Sequence, residues 1–464
     1  MAAIMTVVLA IYFCVPVVAA PTQSPAKWTI LVYMNGHNTL DGEIPVNFNQ
    51  MSNVGSTAAV NVVAEVARMG GSWKDHAYRY RITKGMTLTP ANATMTLGKT
   101  DMGSPDALSD FVTWGTKTYP AEQFMLVLWG HGQGYRVEML KAAAKKQLDR
   151  ALKMDIDESH SFSTSEIPSA SVFRTVSSDD VFGSKLYMSD LQSVLKTQIA
   201  SNPAMHGNKL AILGFDACLM AMVENAYAFR DLAQVMVASQ DLEPGPGWNY
   251  EPWLTSVTKD ATVPATALAA SIVNSYADAY QNKDGTTTMS ETDLSKANAL
   301  ALDTSLLAEK MMALLPAALA QITVARKACP YYAPDPFNDG HDYFYHIDLG
   351  CFVDGLSQAQ DAELKDAAIK VKQDLKSAVL DRYAGSDRVA FGSNGLCIYF
   401  PLTQNEFDGD VIAEGGYLTT NTNHPVDFVR SLKWADFLSA YYKAQVAARV
   451  APTADKALRA SAAK

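Results

Sequence analysis

The sequence predicts an α/β fold: an α/β/α sandwich around a mostly parallel sheet, with a largely helical C-terminal extension. Three observations carry that prediction. Five runs of strand length, residues 27–33, 60–66, 123–129, 210–215 and 234–239, are almost wholly apolar. Continuous apolar runs of that length are strands buried on both faces, as in a parallel sheet. Helix-length stretches separate them, and this alternation is the pattern of an open sheet covered by helices. Beyond residue 255 the helical pattern dominates.

Each element has a local reason. Residues 27–33 (KWTILVY) open the folded region after a Pro/Ser/Thr spacer, and the polar loop 34–42 ends that strand. A helix over 43–51 starts near Pro45. Residues 78–83 alternate as a more exposed strand does. Ser104 and Pro105 open a helix over 105–118, in the N-cap and first-turn positions these residues favour. Residues 136–150 are charged and helix-prone, and 154–167 are acidic and Ser/Thr-rich. Together, 135–175 reads as a surface insertion without its own core. Helices are expected over 189–199 and 221–232. Residues 243–250 (EPGPGWNY) form a rigid aromatic loop, either a groove wall or a packed connector. Further helices are expected over 265–280, 293–315, 358–383 and 425–442, a loop over 330–350, and one late strand over 396–400. The chain divides into a leader (1–20), a catalytic core (27–255) carrying the insert, and a C-terminal region (256–445) that completes the fold.

The 464 residues carry a net charge of -10. The longest basic cluster is Lys141, Lys145, Lys146 and Arg150, too short for a nucleic-acid surface. Residues 1–20 are apolar and uncharged with small residues at their end, which resembles a secretory signal cut after Ala19. That places the protein outside the cytoplasm, secreted or periplasmic; an N-terminal membrane anchor is the alternative. Of the five cysteines, Cys14 falls in the leader. With Cys218 kept as a free thiol, Cys329, Cys351 and Cys397 remain. They leave room for one disulfide, 329–351 closing the shortest loop. There is no CxxC pair to suggest zinc or redox chemistry.

Two strand ends carry the chemistry. The run 210–215 stops at Asp216-Ala217-Cys218, and a helical pattern follows. A thiol at such a junction lies near backbone N–H groups without helical partners, and the helix dipole favours its thiolate. The run 123–129 stops at Gly130-His131-Gly132. Parallel strands present their C-terminal ends to one crevice, so His131 and Cys218, 87 positions apart, are expected to meet there. The plainer alternative is a buried structural thiol and a loop histidine.

Taken in order, these segments resemble the clostripain-like family of cysteine peptidases in the caspase-like clan. The motifs are Trp129-Gly130-His131-Gly132-Gln133-Gly134, then Phe215-Asp216-Ala217-Cys218-Leu219-Met220 with Glu224. They are joined by 30–36 (ILVYMNG), 237–240 (VASQ), 244–250 and 395–401 (GLCIYFP). Each is weak alone; their joint order over most of 27–442 is specific.

The resemblance implies His131 as catalytic histidine, Cys218 as nucleophile, and Asp216 at the base of a pocket for a basic P1 side chain. A carboxylate there accepts two parallel bonds from an arginine. Main-chain N–H groups near Cys218 and Gly132 would hold the oxyanion. The resemblance also implies a zymogen cut after the histidine, with Lys145 and Lys146 as autocleavage candidates. Calcium would be an accessory at most, with oxygens available on Asp155, Asp157 and Glu158. Relatives carry Asp where this chain has His37, which puts a charge-based role for that loop in doubt. Implied partners are protein or peptide substrates with a basic P1, with the oligomeric state open. The alternatives are a transamidase or peptide ligase, since an amine also resolves a thioester, and a catalytically silent binding protein. No GxSxG elbow follows a strand, which disfavours a serine hydrolase.

Overall fold

The computed structural model describes residues 25–132, 138–139, 171–172, 175–334, 344–390, 392–408, 417–420 and 426–462. In chain order the strands are β1 (Ala26–Gly36), β2 (Val60–Arg68), β3 (His76–Arg81), β4 (Met95–Lys99), β5 (Ala121–Trp129), β6 (Glu138–Met139) and β7 (Ser171–Val172). They continue with β8 (Thr175–Asp179), β9 (Ser184–Tyr187), β10 (Leu210–Asp216), β11 (Ala233–Ala238), β12 (Thr288–Asp293), β13 (His346–Asp348), β14 (Val379–Ala384) and β15 (Cys397–Tyr399). Nine of them form one sheet in the order β14-β12-β11-β10-β5-β1-β2-β3-β4. The centre, β11 to β2, is parallel, and both edges are antiparallel.

The apolar runs are central because both their faces are covered. Along β1, Leu31 and Tyr33 enter one core while Ile30 and Val32 enter the other. The alternation follows from the two-residue period of a strand. The first core includes side chains from helices Pro105–Thr118, Met188–Ser201, Val223–Phe229 and Leu294–Ala313. The second lies beneath helices Ile44–Val54, Tyr250–Lys259 and Ala265–Tyr280. Ser104 caps its helix as expected, accepting the Asp106 N–H at 3.2 Å.

Several sequence expectations are corrected. The helix expected over 358–383 ends at Ala378, and Val379–Ala384 is the edge strand β14. Its neighbour β12 (TMSETD) was not legible, because its polar side chains are buried only once β11 and β14 pair on either side. β3 is mostly buried rather than exposed, since Phe48 packs edge-on to Tyr80 and Arg79 lies over Trp114. Residues 330–350 include a strand, β13, paired antiparallel with β15. The late helix is two, Asp427–Ser431 and Trp434–Ala462. Helix Tyr250–Lys259 was missed after a Gly/Pro loop.

Cys329 and Cys351 form a disulfide, and Cys218 and Cys397 are free. A disulfide of this kind persists in oxidising compartments. Among the described residues, no helix is long and apolar enough to cross a membrane.

Candidate active site

β5 and β10 lie side by side in register, Trp129 opposite Asp216. Their loops stay joined past the strand ends, because Gly130 N–H donates to Asp216 O at 3.2 Å. A Cβ at Gly132 would sit 2.3 Å from Cys218 O and 2.9 Å from its N. Glycine is therefore what allows the histidine loop to close on the cysteine turn. His131 and Cys218, 87 positions apart in sequence, line one pocket with Leu40, Asp216, Glu243 and Gly247. Of the residues singled out by sequence, His131, Gly132, Asp216 and Cys218 come together. Lys145, Lys146, Asp155, Asp157 and Glu158 lie outside the described residues, as does the leader.

The thiol differs from expectation in one respect. The helix after it begins at Val223 and is seven residues long, so Cys218 is not at its N-terminus. The intervening turn passes through a left-handed Leu219 (φ 66°). Its N–H groups are engaged elsewhere: Leu219 donates to Asp241 O and Ala221 to Ser239 O. Cys218 is 8% exposed, and its sulfur accepts the Glu243 N–H at 3.2 Å. Burial, and then the nearby Glu243 carboxylate, push the thiol up to about 12. The surroundings of Cys218 thus favour the thiol over the thiolate that a helix dipole would have favoured.

The His131 imidazole meets Thr39, whose hydroxyl lies 2.8 Å from Nε2. Its main chain is held by the β8 strand, where Ser177 N–H donates to His131 O at 3.1 Å. His37 does not reach the pocket. It is fully buried, with Nδ1 2.8 Å from Asp179 Oδ2.

Asp216 is 4% exposed and takes two donors, Trp248 N–H at 3.0 Å and Tyr250 O–H at 2.7 Å. The loop can close over it because position 247 is glycine: a Cβ there would lie 2.2 Å from Asp216 Oδ1. Glu243 is equally buried, and its carboxyl lies against that of Asp216. Burial raises both carboxyls, and Asp216's charge raises Glu243 further. Asp216, with its two donors, is the better anion of the pair. The two carboxyls raise each other's cost of ionisation, and the larger upward push falls on Glu243. Sequence reasoning missed Thr39 and Glu243. The only available signal for either was its place in a loop following a parallel strand.

The clostripain family model matches residues 32–170 and 164–441. Clostripain of Hathewaya histolytica is 24% identical over 247 residues, covering 48% of this chain and 41% of its own length. The chain thus matches less than half of that relative. An inactive zymogen C11 protease from Parabacteroides distasonis superposes with a TM-score of 0.54 at 18% identity, covering 84% of this chain and 97% of that one. A secreted C11 cysteine protease from Bacteroides thetaiotaomicron, solved with an irreversible peptide inhibitor, has a TM-score of 0.54 at 17% identity, covering 90% and 99%. These two similarities show a shared fold. With a family model spanning nearly all of the folded chain, and its histidine and cysteine motifs on adjoining strand ends, the protein belongs to the clostripain family of cysteine peptidases.

Proposed function

We propose that the chain is a cysteine endopeptidase that cleaves after basic residues, Arg better than Lys, through a Cys218–His131 dyad and a thioester. The observation that carries this reading is the meeting of His131, Cys218 and a buried acidic pair, Asp216 and Glu243, in one pocket. Cys218 gives its proton to His131 and its sulfur attacks the carbonyl. His131 then protonates the leaving amine, and water resolves the thioester. Main-chain N–H groups at Cys218 and Gly132 receive the oxyanion. A cationic P1 side chain entering beside Asp216 and Glu243 supplies the missing counter-charge. It thereby weakens the field that holds Cys218 protonated, so substrate entry favours the thiolate. Arginine suits the site better than lysine because its planar fork can engage a carboxylate through two bonds.

The protein is proposed to act outside the cytoplasm, in keeping with the Cys329–Cys351 disulfide, the leader and the secreted relative. Calcium, where needed, would brace the acidic insert and take no part in the dyad chemistry; turnover in chelator measures that need.

The test is a P1-varied fluorogenic peptide library, with and without an amine acceptor. Wild type is expected to cleave after Arg, and Cys218→Ala and His131→Ala to lose turnover. Asp216→Asn is expected to lose Arg turnover by roughly a hundredfold or more, because a buried guanidinium is left without its counter-charge. Turnover retained in Cys218→Ala refutes the dyad. An unchanged Arg preference in Asp216→Asn refutes the pocket. An aminolysis product in place of hydrolysis identifies a ligase.

A further inference from the structure

The loop after β1 is braced far more heavily than a surface connector needs. Asn35 Oδ1 accepts the His37 N–H at 3.0 Å, and Asn35 Nδ2 donates to Ser177 Oγ and Ser178 O, both at 2.9 Å. Asn38 Nδ2 donates to Asn35 O and Ser178 O, again at 2.9 Å each. His37 is paired with Asp179, and its carbonyl accepts the Asp180 N–H at 2.7 Å. Asp179 is itself fixed by N–H groups of Met102, Val181 and Phe182. Asn35, His37, Asn38, Ser177 and Asp179 are all buried. Buried polar networks of this kind hold one geometry, and here only His37 Nε2 lacks a partner among the described residues of the network.

What the network holds is Thr39. Its hydroxyl is 2.8 Å from His131 Nε2. The same strand that anchors the loop, β8, also anchors His131, through Ser177 N–H to His131 O. Carrier and imidazole are thus fixed to one element, and their separation is set by it. We propose that Thr39 is a positioning residue for His131: its hydroxyl oxygen accepts the Nε2 proton, which commits proton transfer with Cys218 to Nδ1.

The inference rests on the peptidase reading and adds a third member to the dyad. The proton balance is simple. In the resting state Nε2 carries the proton and Nδ1 is the base. The Cys218 S–H proton moves to Nδ1 as the S–C bond forms, and the same proton leaves with the amine as the C–N bond breaks. Throughout, Nε2–H stays on Thr39 Oγ1, where the acceptor stabilises the imidazolium as well as the tautomer. A histidine's working nitrogen is set by the bond its other nitrogen makes. A hydroxyl in this place does in neutral form what a carboxylate does in other catalytic groups.

The test compares Thr39→Val, which keeps the shape and removes the hydroxyl, with Thr39→Ser, which restores it. Thr39→Val is expected to lower kcat by roughly tenfold to a hundredfold, the worth of one hydrogen bond to a charged group, with KM for an Arg peptide unchanged. Thr39→Ser is expected within about threefold of wild type, since the hydroxyl is retained. In histidine-labelled wild type, the ¹⁵N signals that vanish in His131→Ala are expected to report the Nε2–H tautomer, and Thr39→Val to shift them toward a mixture. Wild-type kcat in Thr39→Val overturns the proposal, as does a loss confined to KM or a Ser variant as impaired as the Val variant. An Nδ1–H tautomer in wild type overturns it independently of any turnover. Turnover that survives Cys218→Ala instead overturns the peptidase reading, and the nitrogen signals still decide the Thr39 contact.

Discussion

Gly132→Ala isolates the junction between the two strand ends. The added Cβ would lie 2.3 Å from Cys218 O, 2.9 Å from Cys218 N and 2.9 Å from Ala217 Cβ. Two of these are main-chain atoms on a turn tied to Asp241 and Ser239, so neither can swing aside as a side chain would. Restoring an ordinary contact of about 3.5 Å requires the loops to part by roughly 1 Å. A misplacement of that size between reacting groups costs about a hundredfold in rate, while the overpacking costs about 1–3 kcal/mol of stability. The assay is kcat/KM on an Arg peptide beside thermal unfolding. Gly70→Ala is the control, because φ there is -116° and nothing lies within 4 Å of the new Cβ. A Gly132→Ala protein with wild-type kcat/KM would show that the two loops are free to separate, and would refute their rigid coupling.

Three further outcomes are expected. Burial pushes Glu224 up to about 7; Oε1 accepts Tyr399 N–H and Tyr417 O–H, while Oε2 has no partner among the described residues. A carboxyl raised in the folded state contributes stability below its unfolded value near 4.5 and loses it as pH rises through about 7. Glu224→Gln should therefore flatten stability across that window, which for wild type falls by up to ~3 kcal/mol; denaturant melts with the same slope in both proteins would dismiss the idea. Replacing Cys329 and Cys351 together by Ser opens a loop with a sequence separation of 22, and chain entropy sets the expected loss at about 3 kcal/mol; an unchanged melting temperature under non-reducing conditions would contradict it. Autocleavage is expected after Lys145 or Lys146 in wild type and not in Cys218→Ala, read by N-terminal sequencing, where a new terminus in both would identify an outside protease instead.

Much of the architecture was legible in the sequence because its signals are local. Unbroken apolar runs mark strands covered on both faces, and the ends of the five parallel strands of the sheet fall within three residues of the runs at 27–33, 60–66, 123–129, 210–215 and 234–239. His131 and Cys218 could be chosen because each stands just past such a run, where parallel topology gathers loop residues. What needed the tertiary structure depends on atoms distant in sequence. β12 is polar and becomes a strand only between β11 and β14. The state of Cys218 was read from a helix end, yet it is decided by burial and by Glu243, 25 residues away. His37 stood out as a departure with no visible compensation. Its partner Asp179 lies 142 residues on, beyond the insert. Thr39 had no signature at all, since one hydroxyl in a polar loop acquires a role only when β1, β5 and β8 converge. Local pattern determines which segments are strands and which loops face the crevice. Which hydrogen bond a loop side chain makes, and what charge a buried group carries, are set by packing that no short stretch of chain contains.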